Sequence, residues 1–121
     1  MSKGANFERQ CMAELRDAGW EVTRSAGSRG HADLWAMREE AGRTRVLLIQ
    51  AKSGKQICGP REWNQLVQLA EQVVATPVIA DKAPGVKAAR WWRITGLKSG
   101  RGERQPRVPL DIHAWDERQA A

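Results

Sequence analysis

The chain has 121 residues, 41% of them hydrophobic and 28% charged, which leaves room for one compact domain over 1–121 and no more. No apolar run approaches the roughly 20 residues of a membrane helix, and the opening MSKGANFERQ lacks the apolar stretch of a secretory signal. The formal net charge is +6; Lys82, Lys87, Arg90, Arg93, Lys98, Arg101, Arg104 and Arg107 stand against Glu103 alone between residues 82 and 107 and cover the whole surplus.

Cations concentrated in this way point to a polyanion, most often nucleic acid. Cys11 and Cys58 fit neither a disulfide framework nor a zinc site. A reducing, cytoplasmic setting is therefore expected, with no membrane association.

Residues 5–18 read as a helix, because Phe7, Cys11, Leu15 and Ala18 recur on one face and Gly19 stops the run. Glu8 and Glu14 lie at the two edges of that apolar stripe. WEVTRS (20–25) reads as a strand, AGSRGH (26–31) as a glycine-rich turn, ADLWAMR (32–38) as a second strand and EEAGRT (39–44) as a hairpin turn. RVLLIQAK (45–52) is the third and most buried strand. After the loop SGKQICG, Pro60 opens a helix to about Val74, with Trp63, Leu66, Val67, Leu69, Ala70 and Val73 on its apolar side. TPVIAD (76–81) and ARWWRIT (89–95) read as two more strands. From 96 to 109 the chain is rich in glycine, proline and arginine and reads as a long basic loop or arm; PLDIHAW adds a last short element. The order α-β-β-β-α-β-β implies a mixed α/β layer.

Side chains on a strand alternate faces, so Gln50 and Lys52 project together at the carboxyl end of a core strand. Antiparallel pairing of 32–38 with 45–52 brings Asp33 to the level of both. Glu8, from the helix on this sheet, is a fourth candidate. Such a cluster suits phosphodiester hydrolysis. Asp33, the Gln50 amide oxygen and the Ala51 carbonyl are oxygen ligands for Mg²⁺, or Mn²⁺ in its place. Lys52 is placed to orient a water or stabilise developing charge.

The run FERQCMAELRDAGWEVTRSAGSRGHADLWAMR followed by VLLIQAKSGK resembles the PD-(D/E)XK nuclease superfamily, and within it the archaeal-type Holliday junction resolvases and their phage relatives. The resemblance covers residues 4–55 well and fades after 75. It implies a restriction-endonuclease-like fold, a mixed central sheet flanked by helices with an α-β-β-β-α-β core. By similarity Glu8, rather than Glu14, takes the acidic-helix role, Asp33 that of metal ligand, Lys52 that of the lysine, and Ser28 lies near the scissile phosphate. It also implies a homodimer that binds four-way DNA junctions and cuts two opposed strands. Ala32 stands where the superfamily has proline. Gln50 stands where an acidic residue is usual, which removes one negative charge from the metal site.

Arg24, Arg29, His31, Lys55 and Arg61 are further candidates for phosphate contact around the cleft, and Arg101, Arg104 and Arg107 along the arm. Trp20, Trp35 and Trp63 are expected in the core or on a dimer face. Trp91 and Trp92 point to opposite sides of one strand, which leaves one of them to meet a partner subunit or DNA. Two alternatives remain at this stage: a repair or restriction-type nuclease with another substrate, and a DNA-binding module without catalysis.

Overall fold

The computed structural model describes residues 3–25, 31–100 and 105–113. Eight elements follow one another: α1 (Lys3–Asp17), β1 (Glu21–Arg24), β2 (Leu34–Glu40), β3 (Arg43–Ala51), α2 (Pro60–Val73), β4 (Thr76–Asp81), β5 (Arg90–Ile94) and β6 (Arg107–Pro109). The strands form one six-stranded sheet in the order β1-β2-β3-β4-β5-β6. Only β3 and β4 pair in parallel. A parallel neighbour needs a crossover, and α2 supplies it. The mixed α/β class and the element order through β5 agree with the reading of the sequence.

The strict alternation of β3 sorts its side chains into two cores. Leu47 and Ile49 join Phe7, Cys11 and Leu15 of α1, with Leu34, Val78 and Trp91. Leu48 faces the other way, onto Trp63 and Leu66 of α2, with Ile79 and Ile94. Each face of the sheet is thus covered by one helix, which is why β3 is apolar on both sides. Just past the end of α1 stands Gly19, whose φ of +91° few other residues adopt. The amides of Gly19 and Trp20 there return to the carbonyls of Arg16 and Leu15 at 3.0 and 2.9 Å, closing the helix end.

Three boundaries differ from the sequence reading. The β2–β3 hairpin runs on to the pair Glu40–Arg43. It turns on Ala41 and Gly42 alone, at φ 52° and 79°, the two-residue geometry that matches strand twist. Charged residues in 38–45 resemble a loop only because this end of the hairpin is exposed. The stretch expected as an arm holds β6, aligned on β5 through Arg93–Val108, with the Thr95 amide on the Pro106 carbonyl at 2.8 Å. Residues 101–104 of that stretch lie outside the described residues. Among the described residues of PLDIHAW, which run to His113, no strand follows Pro109; Leu110 and Ile112 instead plug the α1-side core, and the Trp20 indole donates to the Ile112 carbonyl at 2.8 Å.

Among the tryptophans, Trp20, Trp63 and Trp91 are buried and Trp35 packs against the α2-side core. Trp92 is the half-exposed member of the 91–92 pair. Cys11 is fully buried; burial, with the Glu14 and Glu8 carboxylates adding to it, pushes its thiol up to about 12. No helix among the described residues is long and apolar enough to cross a membrane.

Candidate active site

The β2–β3 register places Leu34 opposite Ile49, so Asp33 stands opposite Gln50, one step beyond the end of β2. Two hydrogen bonds lock this corner. The Asp33 amide donates to the Ile49 carbonyl at 2.8 Å. The Ala51 amide donates to Asp33 Oδ2 at 2.9 Å. The carboxylate is thereby tied to the backbone of the strand that carries Gln50 and Lys52.

Gln50 is only 6% exposed, and its Nε2 donates to the His31 carbonyl at 2.6 Å. One N–H of the amide is thus engaged by backbone, and Oε1 is the end able to meet a cation. Lys52 lies just past β3, and its amide bonds the Ala80 carbonyl of β4 at 2.9 Å. Its side chain is 15% exposed and reaches Glu62 Oε2 at 2.7 Å. A pocket of about 100 Å³ opens beside it, lined among others by Lys52, Gln56, Asp81, Gln105 and Arg107.

Glu8 reaches Arg24 at 3.0 Å. Arg24 precedes Ser25, whose amide bonds the Asp33 carbonyl at 3.0 Å, so Glu8 stands at the same end of the sheet. Glu14, which helical spacing alone left equal to Glu8, holds the Ala89 amide at 3.0 Å and so braces the entry to β5. The cations divide in the same way. Arg24 is committed to Glu8, whereas Lys55 and Arg61 are exposed. The His31 side chain is exposed too; its backbone carbonyl is the group in use. Ser28, Arg29, Arg101 and Arg104 lie outside the described residues.

Arg107 stacks 4.0 Å over the Trp92 ring and stands 3.7 Å from Asp81. Burial lowers its pKa, with Arg90 adding to the effect and Asp81 opposing it. Lys98 does not belong to a phosphate-gripping surface. It is buried, with Nζ on the Cys58 carbonyl at 3.1 Å and 5.3 Å from the Trp63 ring centre.

Two acidic residues in this region had no signal in the sequence. Glu62, in the first turn of α2, meets Lys52 only because the loop 53–59 folds back. Asp81 becomes a neighbour of Lys52 through the parallel register that pairs Ala51 with Ala80. Among the described residues, no three His, Cys, Asp or Glu side chains gather into a ready metal cluster. The candidate oxygens are those of Asp33, the Gln50 amide and the Ala51 carbonyl at the end of β3, with Glu8 on Arg24 at the same end of the sheet. A donor set made only of oxygens suits a hard cation such as Mg²⁺ or Mn²⁺.

A family model described as archaeal Holliday junction resolvase (Hjc) matches residues 1–106. Among solved structures, the chain resembles Archaeoglobus fulgidus Hjc, a Holliday junction resolvase from an archaeal hyperthermophile. The two share 28% identity with a TM-score of 0.63, over 93% of this chain and 88% of the other. No curated protein matches the chain.

Proposed function

Since the chain belongs to the archaeal Holliday junction resolvase family, an endonuclease family, we propose that it resolves four-way DNA junctions by metal-dependent hydrolysis at the Asp33–Gln50–Lys52 corner. The observation that carries this reading is the double tie between Asp33 and β3, through the Ile49 carbonyl and the Ala51 amide. It puts a carboxylate, an amide oxygen and an ammonium at one strand end.

Asp33, Gln50 Oε1, the Ala51 carbonyl and Glu8 would hold Mg²⁺, or Mn²⁺ in its place; when bound, such an ion offsets phosphate charge and lowers the pKa of a bound water. Lys52 acts from the phosphate side. Its ammonium orients the attacking water and stabilises the charge that grows on the phosphoryl oxygens. Asp33 keeps its orientation because its second oxygen is held by the Ala51 amide. Lys55, Arg61, Arg107 and His31, with Ser28, Arg29, Arg101 and Arg104, grip the phosphates on either side of the scissile bond.

Cutting two opposed strands together needs two sites related by a twofold axis, and one chain offers one. A homodimer is the assembly this reading requires, and light scattering at micromolar concentration checks it.

The function is tested with labelled four-way junction, flap and linear duplex, each with Mg²⁺ or Mn²⁺. Symmetric paired nicks on the junction are expected. Broad cutting of all three would move the reading to a repair or restriction-type nuclease. Tight binding with no cutting under either metal would replace it with a DNA-binding module.

A further inference from the structure

The corner as built is short of negative charge. Asp33 and Glu8 contribute one negative charge each, while Arg24, paired with Glu8, and Lys52, at the end of β3, contribute one positive charge each. The sum is zero, because Gln50 is neutral. A divalent cation enters such a site without net electrostatic attraction.

Glu62 alters that sum. It stands at the third position of α2, after the cap Gly59 and Pro60. A glutamate there ordinarily turns back onto the cap's amide. Here its carboxylate instead reaches across ten residues to Lys52 Nζ, at 2.7 Å. The side chain is 48% exposed, so little packing fixes its carboxylate in place. The start of α2 also sits where its helix dipole favours negative charge.

We propose that Glu62 is the second working carboxylate of this active site, replacing from α2 the charge that Gln50 lacks on β3 and contributing directly to metal binding. This rests on the metal-dependent reading above. Gln50 keeps an oxygen ligand on the strand, Lys52 bridges the two elements, and Glu62 returns the site to net negative.

The test is calorimetric titration of Mn²⁺ into the whole protein, free of DNA, alongside junction cutting. Glu62→Gln should weaken Mn²⁺ binding by on the order of 10-fold or more, with an unchanged melting temperature in the absence of metal. The same loss should appear when Glu62→Gln is placed in a Lys52→Ala background. Adding Gln50→Glu to Glu62→Gln should recover most of the affinity, since the same formal charge returns. Glu62→Gln with wild-type Mn²⁺ affinity overturns the inference, even if cutting slows, because Glu62 then only places Lys52. A loss that vanishes without Lys52 also overturns it, because Glu62 then only screens the lysine. Wild-type protein that binds no Mn²⁺ and cuts no junction overturns the proposed function and this inference together.

Discussion

Gln50 Nε2 donates to the carbonyl oxygen of His31 at 2.6 Å, so the residue in the usual acidic position is held by its donor end. A carboxylate cannot make that bond. Gln50→Glu sets oxygen against oxygen in a site only 6% exposed, which should cost about 1–3 kcal/mol of stability without metal. Mg²⁺ or Mn²⁺ should restore much of it by binding the folded state. Melting curves with and without metal check this. Cutting by the variant should persist or improve at low Mg²⁺; tighter metal binding with slower turnover would mean that the neutral amide is itself required.

Asp33→Asn keeps an oxygen for the Ala51 amide, so the corner should hold its shape while losing its charge. Lys52→Ala removes the ammonium and leaves Glu62 unpaired. Each should lower cutting by on the order of 10²-fold or more while junction binding survives. Cleavage rates beside gel-shift affinities separate the two effects.

Neutralising Arg101, Arg104 and Arg107 together should flatten the slope of log K against log salt by about two to three units. The Arg107 share should be the smallest, since Asp81 and Trp92 already hold it. Lys98→Met should leave that slope alone, because its ammonium is spent on the Cys58 carbonyl. An equal slope change from Lys98→Met would place it on the DNA after all.

Burial lifts the Cys11 thiol to about 12. It lifts Cys58 to about 11, with the Glu62 carboxylate adding to the shift and Lys52 and Lys98 opposing it. Unfolded thiols titrate near 9. A pKa raised on folding stabilises the fold below the unfolded value and is lost as pH rises through the folded one. Between pH 9 and 11 each thiol should therefore remove up to about 1.4 kcal/mol of stability per pH unit. Replacing both cysteines by alanine should flatten the alkaline limb of a urea-denaturation series by up to twice that amount, about 2.8 kcal/mol per pH unit. Neither thiol should react with a disulfide reagent at pH 8 until the chain unfolds.

The legible parts of the fold are those where a single periodicity decides. The alternation along Val46–Lys52 placed Gln50 and Lys52 on one face, and antiparallel pairing set Asp33 beside them. Phe7, Cys11 and Leu15 marked the buried side of α1. β6 was not legible, since Arg107, Val108 and Pro109 are too few, and too poor in apolar residues, to show a period. Lys98 read as surface charge because nothing local signals a buried ammonium satisfied by a carbonyl forty residues away. Glu62 was missed for a related reason: its partner is set by how loop 53–59 folds, and loop paths leave no repeat in a sequence.

The tight turn at Ala41–Gly42 also offers practical access to the molecule. Seven strand steps separate Arg43 from Gln50, roughly 25 Å at the ordinary rise of a strand. A fluorophore or surface tether carried on that tip would sit at the far end of the hairpin from the Asp33–Gln50–Lys52 corner. The protein can be anchored there and watched on single junctions, with its cleft facing the solution.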